Sequence, residues 1–349
     1  MLKPPFDAIC NLKRVTEEQY LLREFGIRLL YNFKDCEYVS ERNVIVSDNP
    51  SCWNRYLTTA PVNSITFILI GNETYEPDKF QHLNHFKSIK AALLYNPPKP
   101  TPYSNVIKSL LGNILDGGLK KTEYSGSVFR DFRNSQFTRT KLSKIKINYP
   151  FIELPQGYCN SFVDQLSCLS PQMRELLNSN CSLYSDEIQE ELASFIRKDK
   201  VFSYLGQSIH HRRATCLRVA AQKFGIEIPS KIGFGGLNFD GDTTYLKNLL
   251  TTKFPLVPPG AFNNYNHRYA EALITKGLPA ILAQNSLDPS ENSNWTNELP
   301  FPASHSFRFL MRYLQNLSEC HFKALHQKSY QVDLSRLRAA RSFFMANQN

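Results

Sequence analysis

Three short apolar runs punctuate the first hundred residues. Val44-Ile45-Val46 leads into Ser47-Asp48-Asn49-Pro50, residues 64–70 end at Gly71-Asn72-Glu73, and residues 91–95 stop at Asn96-Pro97-Pro98. Each run is unbroken, turns polar at its carboxyl end, and is separated from the next by a helix-like stretch. Such runs predict strands covered on both faces, and hence βα units around a parallel sheet. From residue 150 to about 200 the pattern turns helical, as in residues 185–196, and no strand is read before Val201. That stretch reads as a hinge and the lead-in to a second α/β unit.

In the second unit, residues 201–206 form a strand closed by Gly206, and a polar loop carries His210 and His211. A helix over 212–223 follows, burying Leu217 and either Ala220 or Ala221. The sheet resumes at residues 254–257. A helix from about His267 to Thr275 leads through Gly277-Leu278-Pro279 into a strand at 280–282. Near the end, Phe307, Leu310, Leu314 and Leu317 recur at helical spacing. Asp333 suits the N-cap of a second tail helix. The expected fold class is α/β, divided into residues 1–190, 191–325 and a helical tail over 326–349.

Length agrees with that division, because 349 residues at roughly 100–200 per domain make two. No run reaches the ~18 apolar residues of a membrane span, and Met1 to Pro5 lack the apolar region of a secretory signal. The expected location is therefore cytoplasmic. No two of the eight cysteines have C-x-x-C spacing, so reduced, buried thiols are expected and no zinc ribbon. His82 and His85 lack a third ligand nearby, and no metal is expected.

A net charge of +10 favours an anionic partner. Nucleic acid, lipid headgroups and phosphorylated small molecules all qualify. The excess concentrates in residues 119–147 and in the tail beyond Arg308. Tyr124, Phe129, Phe132 and Phe137 interleave the first of these stretches. Cations and stacking rings support the alternative reading, a basic nucleic-acid-binding protein without enzymatic activity. No recognised nucleic-acid motif accompanies it.

The sharpest chemical signal is a strand at Lys253-Phe254-Pro255-Leu256, a loop, and a helix opening with Arg268 and Glu271. Ligands of doubly wound units sit beyond the carboxyl ends of strands, beside helix starts. A carboxylate one turn into the helix can accept ribose hydroxyls, and an arginine beside it can pair with phosphate. The same two residues equally suit a plain exposed helix face. Gly206 followed by Arg212 and Arg213 is a second phosphate trap, with helix dipole and guanidinium acting together. Gly233-Phe234-Gly235-Gly236-Leu237-Asn238 fails as a dinucleotide fingerprint, since Asn238 replaces the last glycine.

Lys-Phe-x-Leu, Arg-x-x-Glu-Ala-Leu and Gly-x-Pro-x-Ile, over about residues 199–285, together resemble the donor-binding half of exostosin-like glycosyltransferases. More distantly they resemble the α1,3-fucosyltransferases. The resemblance implies a GT-B fold, two facing Rossmann-like domains with an interdomain cleft. Residues 1–190 would bind the acceptor, residues 191–325 a nucleotide-sugar, and residues 326–349 would cross back to the first domain. The implied activity moves a sugar from the nucleotide-sugar donor to a glycan or glycolipid hydroxyl, with no cofactor and no metal. Glu271 would hold the ribose and Arg268 would lie near the diphosphate; Gly206, Pro259 and either Arg212 or Arg213 would complete the donor site. Asn263 stands where retaining relatives often carry a second glutamate, which favours inversion.

An inverting transfer needs a base. Two strand-end carboxylates offer one: Glu73, whose surroundings are similar to the acidic loop of fucosyltransferase-like enzymes, and Asp48. The basic stretches would also rest the enzyme on an anionic membrane, near a lipid-linked acceptor, at roughly 1 kcal/mol per basic residue.

Overall fold

The computed structural model of the protein describes residues 6–12, 15–31, 43–70, 77–95, 107, 111, 112, 114–116, 145–155, 157–204, 211–227, 241–257, 267–281 and 306–348. Six strands form one sheet: β1 (Phe6–Cys10), β2 (Ile27–Tyr31), β3 (Val44–Ser47), β4 (Ile65–Leu69), β5 (Ile89–Tyr95) and β6 (Phe151–Leu154). All pair in parallel, in the order β2-β1-β3-β4-β5-β6. A second parallel sheet holds β7 (Lys200–Ser203), β8 (Thr252–Val257) and β9 (Ala280–Ile281) in sequence order.

β3, β4 and β5 lie where unbroken apolar runs predict them. β1, β2 and β6 are additions to that pattern, because each carries a charge. Asp7 and Arg28 stand opposite each other in the β1–β2 register, and Arg28 Nε donates to Asp7 Oδ1 at 2.7 Å. β6 is an edge strand whose Glu153 pairs with Arg336 at 3.1 Å. Parallel strands bury alternate residues on opposite faces. Ile9, Ile45 and Phe67 accordingly enter one core with Trp53 and Phe80, whereas Ala8, Val44, Val46 and Ile68 enter the larger core on the other face.

Eleven helices flank the sheets among the described residues. On the first sheet are α1 (Glu18–Phe25), α2 (Asn54–Thr59), α3 (Pro77–His82), α4 (Asn160–Leu166), α5 (Pro171–Asn178) and α6 (Asp186–Ala193). Beyond β7 come α7 (His211–Phe224), α8 (Thr244–Thr251), α9 (Arg268–Ile274), α10 (Phe307–Gln315) and α11 (Glu319–Ala346). Capping signals explain several ends. Gly26 closes α1 in the left-handed conformation at φ 67°, and the Ser170 and Ser185 hydroxyls accept from Met173 N–H and Ile188 N–H. Asp116 caps α10 across a long stretch of sequence, accepting from Ser306 Oγ and the backbone N–H groups of Phe307 and Arg308.

Residues 150–200 are packed structure, which corrects their reading as a hinge. Phe162, Leu166, Met173, Leu177, Ile188 and Leu192 all enter the larger core. The turn between β6 and α4 requires glycine at 157, because a Cβ there would lie 2.2 Å from Cγ of Tyr20. That ring has no room to yield. Its hydroxyl donates to Pro155 O at 3.0 Å, and it stands edge-on to Phe25 and Tyr158.

The tail is also corrected. Asp333 caps no helix; it lies inside α11, buried, and its carboxylate accepts from the Tyr184 hydroxyl at 2.7 Å. Ser318 is the true N-cap, accepting from His321 N–H, and no glycine or proline interrupts the 28 residues that follow. At 1.5 Å per residue α11 is about 42 Å long, enough to pass from one core to the other. Phe322 near its start packs with β8, and Phe344 near its end meets Phe6 and Phe25.

The two α/β units share buried surface. Tyr245, Leu246, Leu249 and Leu250 of α8 belong to the larger core of the first sheet. Gln165 Oε1 accepts from Leu246 N–H at 3.0 Å, capping α8 from α4. At the opposite end of α8, Lys198 Nζ donates to Leu249 O at 2.6 Å. Burial lowers the pKa of Lys198 to about 7. Between about pH 7 and the ordinary lysine value, the unfolded chain keeps a proton that the folded chain has shed. Stability therefore rises with pH across that window. Urea denaturation at several pH values checks this, and Lys198→Met should flatten the rise.

Candidate functional site

In the first sheet the chain returns on one side of β1 as β2 and on the other as β3, so the strand order switches between β1 and β3. A switch point opens a crevice at the carboxyl ends of the two strands. Asp48 stands there, immediately after β3 and half-buried. Around it the Ser47 hydroxyl donates to Asn11 Oδ1 at 2.8 Å, and Asn49 accepts from Ser51 N–H to open the next turn. Burial first, then the charges of Asp48 and Glu18, push the Cys10 thiol up to about 11, so that thiol stays protonated. Glu73, the other candidate base, lies outside the described residues, as do Gly206, Pro259 and Asn263.

In the second unit Arg268 is the first residue of α9, which follows β8. It lines a crevice with Ser203 at the end of β7, Pro255 and Leu256 of β8, and Tyr245, Asn248 and Leu249 of α8. Arg212 and Arg213 fall in the first turn of α7.

Glu271 takes a different position from the exposed helix face that its sequence allows. It is 0% exposed, as are most of its neighbours on α9. Its Oε1 accepts from both the backbone N–H and the thiol of Cys159, each at 3.0 Å, and its Oε2 accepts from the Tyr245 hydroxyl at 2.5 Å. Burial and the adjacent Glu271 charge raise the pKa of both Cys159 and Tyr245, holding them protonated as donors. The carboxylate is therefore sealed from solvent, bonded to Tyr245, itself a lining residue of the crevice, and bolts α9 to the start of α4. Cys159 and Tyr245 carry no sequence signal for this role: Cys159 is 112 residues from Glu271 and belongs to no motif.

Among the described residues, three metal-ligating side chains converge at Cys159, His267 and Glu271, whose ligand atoms all lie within 4.8 Å of one another. His82 and His85 pack as rings 6.1 Å apart, and His82 Nε2 lies 2.6 Å from Asn54 Oδ1. Asp242, just before α8, accepts from Thr244 N–H at 2.8 Å. The aromatic-basic stretch behind the nucleic-acid alternative lies almost wholly outside the described residues. Among those residues, no helix is long and apolar enough to cross a membrane.

No family model matches the chain, and no curated protein matches it. Among solved structures it is similar to one titled "Crystal Structure of alpha1,3-Fucosyltransferase", with 11% identity and a TM-score of 0.34 over 97% of this chain and 81% of that one. A likeness this slight assigns no activity.

Proposed function

We propose that the protein is a glycosyltransferase of GT-B type that moves a sugar from a nucleotide-sugar to a glycan or glycolipid hydroxyl. One observation carries the reading: Arg268, at the start of α9, lines a crevice with Ser203, Asn248 and Tyr245 beside β7 and β8 of a parallel sheet. An arginine at a helix start beside parallel strands is the kind of location that attracts phosphate. Arg268 and the first-turn N–H groups of α7 would take the diphosphate charge. Ribose contacts would pass to Tyr245, with Glu271 acting through it as a positioning residue rather than as a direct ligand.

On the acceptor side, Asp48 at the switch point of the first sheet would take the proton of the attacking hydroxyl. The acceptor oxygen then bonds to the anomeric carbon from the face opposite the diphosphate, and the bond to the leaving phosphate oxygen breaks. Developing charge there is met by Arg268, so this step uses no divalent cation. The continuous α11, anchored in both cores, supports the two-unit arrangement that the reaction needs.

Thermal unfolding with UDP, GDP, CMP and TDP tests the donor site. One nucleotide should raise Tm by a few degrees at saturating concentration. Arg268→Ala should weaken its binding about 10–100-fold, the worth of one charge-assisted hydrogen bond. If none of the four shifts Tm, the proposal is wrong.

A further inference from the structure

The geometry points to a zinc site at Cys159, His267 and Glu271 that staples the two α/β units together. Three side chains of the right chemistry arrive there from two elements. Cys159 precedes α4, whereas His267 and Glu271 stand four residues apart at the start of α9, which places them on one helical face. The three ligand atoms already lie within 4.8 Å of one another. A tetrahedral zinc, with bonds of about 2.0–2.3 Å, holds its ligand atoms about 3.3–3.6 Å apart. Cys159 Sγ and Glu271 Oε1, now 3.0 Å apart, would open by about half an ångström while the imidazole closes in.

Thiolate, imidazole and carboxylate together select zinc over calcium or magnesium, which prefer oxygen ligands throughout. Charge favours the same ion. Zinc, one thiolate and one carboxylate sum to zero, and that suits a fully buried position better than a lone carboxylate. On binding, the Cys159 thiol proton leaves to solvent, and the Sγ and Oε1 lone pairs turn to the metal. Outer partners stand ready to hold the ligands. The Tyr245 hydroxyl donates to Oε2, leaving Oε1 for zinc, and Ser161 Oγ lies 3.2 Å from the sulfur. Three protein ligands leave the fourth place to water. The staple would join segments 112 residues apart, and it shares Glu271, through Tyr245, with the proposed donor crevice.

The test uses the full chain purified without chelator. Plasma mass spectrometry should find one equivalent of zinc. The metal-free protein titrated with cobalt(II) should develop the sulfur-to-metal charge-transfer band and visible bands of a tetrahedral site. Cys159→Ser should abolish the charge-transfer band, and Cys52→Ser, at an exposed cysteine, should retain it. Should Cys159→Ser fail to fold, His267→Gln decides. It should lower cobalt affinity by more than the roughly 10–100-fold that outer-shell partners contribute. A folded wild-type chain with neither zinc nor the cobalt bands overturns the site, as do bands unchanged in His267→Gln. Neither readout involves a nucleotide, so failure here leaves the glycosyltransferase proposal to its own test.

Discussion

In metal-free protein, Glu271→Ala lowers the free energy of unfolding by about 3–5 kcal/mol, read from urea denaturation at neutral pH. The loss follows from what the substitution strands. The Cys159 N–H and the Tyr245 O–H both end on this carboxylate in a fully buried place. Each orphaned donor costs about 1–3 kcal/mol, and the removed side chain leaves a void besides. Glu271→Gln should lose less, because its amide oxygen still accepts from Cys159 while its NH2 can donate to the Tyr245 hydroxyl oxygen. Equal stability of Glu271→Ala and wild type would mean that the carboxylate bolts nothing. The result also sets how nucleotide binding is read: a fall in affinity on Glu271→Gln, with the fold intact, reports the positioning of Tyr245.

Asp48→Asn should lower kcat for sugar transfer by about 10²–10⁴-fold, the usual worth of a general base, while the nucleotide Kd stays within about twofold. The asparagine amide keeps the size of the native side chain but cannot take a proton at neutral pH. Arg268→Ala should show the opposite pattern, with donor affinity lost first. Steady-state kinetics and nucleotide titration on both variants separate the roles. Equal loss of donor binding in the two would sink the division of labour between the sheets. Full activity in Asp48→Asn would transfer the base to Glu73.

Much of the strand pattern was legible because a strand covered on both faces must be apolar throughout, as in Val44-Ile45-Val46 or Phe254 to Val257. Strands carrying charge were not. Arg28 in β2 and Glu153 in β6 look polar in one dimension, and only their partners Asp7 and Arg336 make them sheet residues. Several caps are local signals, although only Asp333 is marked as one from the sequence. Ser170, Ser185 and Ser318 stand directly before their helices, whereas Asp116 and Gln165 cap α10 and α8 from distant segments. Asp333 shows the converse error: an N-cap residue type can equally be a buried acceptor once Tyr184 reaches it.

The candidate site divides along the same line. Residue types and spacing marked Asp48, Arg268 and Glu271 as chemically able, because a carboxylate after a strand and a cation at a helix start are local facts. Whether each meets solvent is a fact about every segment packed around it. Local periodicity and end signals thus determined the α/β class and most element positions, since these depend on contacts within a few residues. Tertiary structure decided the switch between β1 and β3, the unbroken α11 and the burial of Glu271 behind Tyr245 and Cys159. Glu271 meets Cys159 and Asp333 meets Tyr184 across more than a hundred positions. β1 pairs with β3 and Glu271 meets Tyr245 across shorter but still non-local gaps, so no short window along the chain contains these features.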